Sequence, residues 1–239
     1  MNRNVTNVIR FLMDECIPPI IRDSRWFMYP FYLVAYRGRR IGEAMDFKKL
    51  VYSWTREDYA AFYRDLDSIS RNRETDLNPA CVERILRIAG EGVRSVLDVG
   101  CGNGYLLRRI RERHPHLELV GVDLKHDRHS TDYRRVEANV ERLPFADASH
   151  DLVVCTHTLE HCLEVHRVVA EIKRVARERV IVVVPCQRYF YYTLDEHVNF
   201  YPFAEKLIHE LGLEQPRCEK LWGDWFYVGR VRADPEPGA

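Results

Sequence analysis

The sequence predicts an α/β fold with a doubly wound, mostly parallel sheet, preceded by a helical N-terminal extension and closed by an antiparallel hairpin. Short apolar runs alternate with amphipathic helical segments from residue 78 onward, which is typical of parallel strands joined by right-handed crossovers. Residues 180–184 are apolar throughout, as expected of a central strand covered on both faces. Gly223-Asp224 separates two strand-like segments within residues 217–232, and this pattern predicts the hairpin.

The 239-residue chain divides into three predicted regions. Residues 1–77 are expected to form an aromatic-rich helical cap or lid, residues 78–232 the α/β domain, and residues 233–239 a flexible tail. Basic and acidic residues both number 36, so the net charge is zero and a nucleic-acid partner is not expected. The seven cysteines include no C-x-x-C, and no apolar run reaches the ~20 residues of a membrane span. We therefore expect a cytoplasmic protein without a transmembrane segment.

The N-terminal region allows three interpretations. Large apolar and aromatic residues fill positions 9–36, and Pro30, like two earlier prolines, is expected to break this stretch into short helices. The simplest interpretation is that these helices cover one edge of the sheet. A second is a lid over the substrate. A third is peripheral membrane contact through residues 9–40, because WFMYPFY stands just before a basic R-G-R-R turn.

The predicted elements follow in chain order. Thr55 is expected to cap a helix over residues 55–69, with Asp58 three positions on, and Asn78 caps the next helix, which has proline at its first position and ends at Gly90. Gly212 is expected to stop the last helix. The remaining predictions are strands at 95–99, 117–122, 133–137, 151–155 and 180–184, helices at 105–113, 162–176 and 203–211, and the hairpin at 217–232.

A glycine-rich turn joins the first strand to its helix. Gly100, Gly102 and Gly104 stand at alternate positions, and Asp98 lies two residues before the first of them. Glycines allow the backbone to approach a ligand closely and leave amide groups at a helix N-terminus. A dinucleotide-binding fingerprint would need a third glycine at position 105, which is Tyr105 here. A phosphate-binding G-x-x-x-x-G-K-[ST] motif is also absent.

Together with GVDL at 121–124, this turn resembles motif I of the class I S-adenosylmethionine-dependent methyltransferases, in their type 11-like, Leu-Glu-His subgroup. The resemblance covers residues 78–232 and implies a Rossmann-like fold with S-adenosylmethionine as cofactor. The acidic residue after the second strand would hold the ribose hydroxyls. A polar side chain and backbone amides after the third strand would recognise the adenine. The implied cofactor-binding residues are Asp98, Gly100, Gly102, Gly104, Asp123, Leu124, Asn139, Val140 and Thr156.

A second cluster of polar residues follows the fourth strand. On a helical turn His157, Glu160 and His161 would share one face, and two imidazoles with one carboxylate form a three-ligand metal set. His197 is a candidate fourth ligand. The letters also fit the H-x-x-E-H signature of zinc proteases, but the nucleotide-binding sheet around them does not fit a protease.

The same stretch resembles the metal-binding E-x-x-E-H set of the ubiquinone-pathway O-methyltransferases and the small-RNA 2′-O-methyltransferases. His157 replaces a glutamate of that set, which favours Zn, Fe, Ni or Mn over Mg. Many relatives keep Leu-Glu-His without a metal, so a structural or pocket-shaping role for these residues stays open.

The predicted reaction is a methyl transfer. His157, His161 and His197 are the candidate catalytic residues, because imidazole can accept a hydroxyl proton near neutral pH. This favours O-methylation of a small-molecule, sugar or glycan hydroxyl, with or without a metal that assists the reaction. A metal-dependent RNA 2′-O-methyltransferase and a non-catalytic protein that binds S-adenosylmethionine are the alternatives.

Overall fold

The computed structural model describes residues 12–65, 74–124 and 131–231. The chain forms two compact units: an N-terminal unit of residues 1–73 and 188–198, and a sheet unit of residues 74–187 and 199–239. The segment 188–198 thus groups with the N-terminal residues, although the sequence assigned it to the α/β region. The predicted tail at 233–239 lies outside the described residues.

The described part of the N-terminal unit is helical. A π-helical turn at Leu12–Cys16 and a 3-10 turn at Val51–Ser53 accompany its α-helices. These are α1 (Pro19–Arg22), α2 (Arg25–Ala35), α3 (Ile41–Met45), α4 (Phe47–Leu50) and α5 (Arg56–Asp65).

The break expected at Pro30 is wrong, because α2 continues through it. Proline lacks the N–H that would bond to the Trp26 carbonyl, so the helix loses one hydrogen bond at this point. Met28 and Tyr32 on the same helix are buried, and this burial holds the segment helical. Among the described residues, no helix has the length and apolar character needed to cross a membrane.

Polar side chains tie the segment 188–198 to the helices of its unit. The Tyr32 hydroxyl donates to the Thr193 carbonyl at 2.5 Å, and the Tyr36 hydroxyl donates to the Glu196 carboxylate at 3.0 Å. The ammonium of Lys48 donates to the Thr193 hydroxyl at 2.9 Å. These bonds span about 150 residues of sequence, so no local pattern could have predicted them.

The sheet unit contains seven strands: β1 (Ser95–Val99), β2 (Glu118–Asp123), β3 (Arg134–Glu137), β4 (His150–Thr156), β5 (Ala176–Pro185), β6 (Glu214–Leu221) and β7 (Asp224–Arg230). Their order is β3-β2-β1-β4-β5-β7-β6. Strands β1 to β5 run parallel, whereas β7 pairs antiparallel with both β5 and β6. The predicted Rossmann-like, mostly parallel fold with a C-terminal hairpin is confirmed.

Helices cover both faces of this sheet. Helices α6 (Pro79–Ala89) and α7 (Tyr105–Arg113) pack into one core layer, and α8 (Val165–Val175) and α9 (Ala204–Leu211) pack into the other. Alternate residues of the central strands enter opposite layers: Val96 and Leu152 enter the first, and Leu97 and Val153 the second. This double burial explains the continuous apolar runs in the sequence.

The predicted helix starts at Asn78 and Thr55 are confirmed. The Asn78 side-chain oxygen accepts a hydrogen bond from the Cys81 amide at 2.8 Å. At α5 the Thr55 hydroxyl accepts from the Asp58 amide at 3.1 Å, and the Asp58 carboxylate accepts from the Thr55 amide at 3.0 Å. The predicted end of α5 at residue 69 lies outside the described residues.

The start of β5 differs most from the sequence prediction. The strand begins at Ala176, four residues before the expected start, and its first residues are charged. Arg177 forms an ion pair with the buried Asp151 of β4, so this charged end belongs to the sheet although it interrupts the apolar pattern.

Candidate active site

Three loops meet at one edge of the parallel sheet. Asp98 of β1 is in register with Gly121 of β2 and Val154 of β4, so the carboxyl ends of these strands lie side by side. The glycine turn follows β1, Asp123 ends β2, and a turn over residues 157–161 follows β4. Ligands of open α/β sheets bind at this edge.

The glycine turn adopts a backbone that other residues rarely accept. Gly100, Gly102 and Gly104 have φ of +78°, +52° and +76°. A Cβ at Gly100 would overlap Thr158, and one at Gly104 would overlap the Tyr133 hydroxyl. A Cβ at Gly102 would meet nothing within 4 Å, so the tip of the turn faces open space. The outer glycines therefore allow tight packing, and Gly102 leaves room for a ligand.

Two carboxylates lie at this turn. Asp123 accepts a hydrogen bond from the Gly102 amide at 2.8 Å, which ties the tip of the turn to the end of β2. Asp98 is buried, and among the described residues its Oδ1 has no hydrogen-bond partner. Burial, and then the nearby charge of Asp123, raise the pKa of Asp98 to about 7. A buried carboxylate oxygen in this state is expected to accept from a ligand.

The other predicted cofactor residues also follow strands of this edge. Leu124 comes directly after β2 and is 55% exposed, which is unusual for a leucine beside a core strand. The Asn139 side chain accepts from the Glu141 amide at 2.8 Å in the turn after β3, and Val140 packs against the second core layer. Thr156 ends β4. Their roles in cofactor binding stay predictions.

The turn after β4 has a different conformation from the expected helical turn. His157 has a φ of +49°, which is rare outside glycine, and residues Leu159–His161 form a 3-10 turn. Helix α8 therefore begins at Val165, later than predicted. The left-handed residue turns the chain, so the spacing of an α-helix does not apply to His157.

His157 lies between two buried carboxylates. Its Nδ1 is 3.2 Å from Glu160 Oε1, and its Nε2 is 3.6 Å from Asp224 Oδ2. Burial lowers the pKa of His157, but hydrogen bonding and attraction to Asp224 and Glu160 outweigh it and raise the pKa to about 10. The imidazole is therefore charged at neutral pH, and both of its nitrogens carry protons directed at carboxylates.

Two of the predicted ligands lie close together on this turn. A carboxylate oxygen of Glu160 and a ring nitrogen of His161 lie within 4.8 Å of each other. His197 belongs to the N-terminal unit, where its Nδ1 is 3.3 Å from Asp195 Oδ2. Glu160 thus lies near both His157 and His161, but on a 3-10 turn after a left-handed residue and not on the helical face that the sequence predicted.

Two residues that support this turn were not recognised from the sequence. The Asn199 side-chain amide donates to the carbonyls of Leu159 at 2.9 Å and Cys162 at 2.6 Å, and its backbone amide donates to the Glu160 carbonyl at 3.0 Å. Asp224 was interpreted as a hairpin residue, yet it is buried against His157. The sequence signal for either residue is a polar side chain next to an aromatic one, and this is too common to be specific.

Comparison with known proteins agrees with this geometry. Residues 97–184 match the model of a family described as a methyltransferase domain. The chain is 39% identical over 106 residues to a malonyl-[acyl-carrier protein] O-methyltransferase of Geobacter sulfurreducens. The aligned region covers 39% of this chain and 40% of that protein. It is 29% identical over 177 residues to a ubiquinone biosynthesis O-methyltransferase of Hahella chejuensis, with 69% of this chain and 66% of that protein covered.

A solved structure shares the fold. A S-adenosylmethionine-dependent methyltransferase from Aquifex aeolicus superimposes with a TM-score of 0.50 and 16% identity, over 72% of this chain and 98% of that one. At this identity the likeness concerns the fold alone. The chain spans 40% and 66% of the lengths of the two relatives above.

We predict that His157→Ala destabilises the protein by roughly 3–5 kcal/mol at neutral pH, because it leaves two buried carboxylates without their counter-charge. His166→Ala, on the exposed side of α8, serves as the control and is expected to change stability by less than about 0.5 kcal/mol. Urea unfolding measures both variants. Equal stability of the two would contradict a charged His157.

The pH dependence has a defined sign. The pKa of His157 is raised from 6.5 to about 10, so its stabilisation is complete below pH ~6.5 and is lost as the pH rises through about 10. The stability advantage of the wild type over His157→Ala should therefore shrink over that interval.

Proposed function

The chain carries a class I S-adenosylmethionine-dependent methyltransferase domain, and we propose that it transfers the methyl group of this cofactor to an oxygen of a small-molecule or carrier-linked acceptor. The observation that carries the proposal is the buried Oδ1 of Asp98, which has no hydrogen-bond partner in the described part of the chain and lies at the base of a glycine turn whose tip faces open space. A turn with a purely structural role is not expected to contain a buried carboxylate with an unsatisfied oxygen, because burial without a hydrogen bond costs free energy.

The residues of this edge fit the cofactor. Asp98 would accept from the ammonium group of S-adenosylmethionine, and Gly102 would allow its close approach to the turn. Asp123 would hold the ribose hydroxyls. The apolar surface of Leu124 and the turn at Asn139 would contact the adenine. The cofactor supplies an electrophilic methyl group on sulfur, and the chain must orient an acceptor oxygen in line with it.

The acceptor class follows from the relatives. Both curated relatives described above are named as O-methyltransferases, one for a carrier-linked malonyl group and one for ubiquinone biosynthesis. Neither name refers to a glycan. Of the acceptors predicted from the sequence we therefore keep the small molecule, leave out the sugar and glycan, and add a carrier-linked oxygen. The balanced charge gives the RNA alternative no support.

We assign the proton transfer to His161. His157 is charged and directed at two carboxylates, so it fits neither a general base nor a metal ligand. His161 lies on the same turn, is half-buried, and follows the strand end at which the cofactor residues gather. In this proposal His161 accepts the proton of a hydroxyl acceptor, and His157 and Asn199 hold its turn in place.

The wild-type chain should release S-adenosylhomocysteine when given an oxygen acceptor of these classes, and Gly102→Ala should abolish this turnover by filling the space at the tip of the turn. Gly92→Ala is the matched control. Gly92 also has positive φ, at +73°, and nothing within 4 Å of an added Cβ, but it lies outside the site. Both variants should lose about 1–2 kcal/mol of stability.

Only Gly102→Ala should weaken binding of S-adenosylmethionine in calorimetry, by roughly tenfold or more. Equal affinity of the two glycine variants would show that the cofactor does not occupy the turn.

His161→Ala should lower kcat by about 10²- to 10⁴-fold while leaving the affinity for S-adenosylmethionine unchanged, because it removes the base and not the cofactor site. His166→Ala, which is exposed on α8, controls for loss of a histidine elsewhere. Unchanged turnover in His161→Ala would contradict its assignment. Cofactor binding without turnover in the wild type, across carboxyl, phenol and alcohol acceptors, would favour the non-catalytic alternative.

Affinity for S-adenosylmethionine should rise with pH and level off near pH 7. The pKa of Asp98 is about 7 in the free protein, so below this pH the carboxyl must release a proton before it pairs with the ammonium group. Because one proton is released for each cofactor bound, the affinity should fall about tenfold for each pH unit below the pKa. Asp98→Asn should bind more weakly and without this slope. A slope that persists in Asp98→Asn would assign the titration to another group.

A further inference from the structure

Helix α2 exposes an apolar face. Trp26, Tyr29, Pro30, Leu33 and Val34 recur at the spacing of one side of an α-helix, and we call them the α2 apolar face. All five are exposed; Trp26 is 73% and Val34 67% exposed. No charged residue interrupts this face. An exposed helix face normally carries polar residues, so its composition calls for an apolar partner.

The opposite side of the same helix explains why α2 is apolar all round. Met28 and Tyr32 are buried in the N-terminal unit, and so is Tyr36 at the end of the helix. The core of the unit therefore accounts for one side only. The five residues of the α2 apolar face lie outside the buried residues of that core, and Trp26 is the most exposed aromatic residue among them.

The apolar surface extends beyond α2 on the preceding segments. Ile20 of α1 is 85% exposed, and Leu12 in the π-helical turn is 50% exposed. Three consecutive elements, the π-helical turn, α1 and α2, thus place large apolar side chains on the surface of one unit.

A basic turn follows the helix directly. Arg37, Arg39 and Arg40 are all exposed, and Arg37 and Arg40 have positive φ, which turns the chain sharply at the end of α2. Arg40 forms an ion pair with Glu43 at 2.5 Å, and Arg37 and Arg39 contribute two further exposed positive charges to the turn. Cationic side chains beside exposed aromatic residues match the chemistry of an anionic lipid interface.

We infer that the α2 apolar face and the basic turn bind the surface of a bilayer that carries anionic headgroups. Tryptophan and tyrosine prefer the boundary between headgroups and acyl chains, where the ring is buried and the polar atom stays hydrated. Arginines at the end of the helix would meet the headgroup phosphates. The helix lies in the interface and does not cross it. This inference is independent of the proposed methyl transfer.

Vesicle cosedimentation of the full chain tests the inference. The protein should bind vesicles of phosphatidylcholine with phosphatidylglycerol roughly tenfold or more tightly than vesicles of phosphatidylcholine alone, given about 1 kcal/mol for each arginine near the surface. Added salt should weaken the binding. Arg37→Glu/Arg39→Glu should remove the preference for anionic lipid. Absence of binding to both vesicle types would overturn the inference.

A pair of tryptophans provides the matched control. Trp26→Ser should lower the partition into anionic vesicles by roughly tenfold, because a buried aromatic side chain contributes about 1.5–3 kcal/mol. Trp222 is 74% exposed in the hairpin turn of the sheet unit, and Trp222→Ser should leave the partition unchanged. Both side chains are exposed, so neither change should alter the thermal midpoint by much.

Two outcomes contradict the bilayer assignment. Equal vesicle binding by Trp26→Ser and Trp222→Ser would place the contact elsewhere. A concentration-dependent dimer in light scattering that Trp26→Ser disrupts, without vesicle binding by the wild type, would show that the face binds a second copy of the chain.

Discussion

The buried carboxylate of Asp98 is the constraint on which the rest of the site depends. It lies in the central strand β1, where neighbouring strands and core side chains exclude water, and one of its oxygens has no hydrogen-bond partner among the described residues. A buried oxygen without a hydrogen bond costs free energy, and a ligand that donates a hydrogen bond to it would remove this cost. The glycine turn above it, with its tip tied to Asp123, gives a ligand access to the same edge. The proposed cofactor site rests on this arrangement.

A second buried charge cluster lies in the turn after β4. His157 in a left-handed conformation lies between Glu160 and Asp224, and Asn199 bonds to three carbonyls of the same turn. His157 directly follows β4, Glu160 lies in the 3-10 turn, and Asp224 begins β7. One imidazolium therefore links elements that are far apart in sequence. The attraction between this imidazolium and the two carboxylates favours the observed conformation of the turn. The strain at His157 is a local cost, offset by the contacts it makes.

The sequence predicted the sheet well and the turn after β4 poorly, for physical reasons. Strands buried on both faces leave a continuous apolar run, and caps such as Asn78 or glycines with positive φ such as Gly104 act over a few residues. The path of residues 157–161 depends instead on Asp224 and Asn199, which are distant in sequence. The helical spacing predicted His157 beside Glu160 and His161. The structure keeps the contact with Glu160, and the contact that the spacing could not predict is the one with Asp224. The continuation of α2 through Pro30 has the same origin, because burial outweighs one lost hydrogen bond.

The central claim is that the unpartnered Asp98 oxygen and the glycine turn together hold the amino-acid end of an adenosyl cofactor. A crystal structure of the complex with S-adenosylhomocysteine tests this most directly. The account predicts the ligand ammonium within hydrogen-bonding distance of the Asp98 carboxylate and the ribose hydroxyls on Asp123. A nucleoside bound elsewhere, or one in this edge with Asp98 still without a partner, would contradict it.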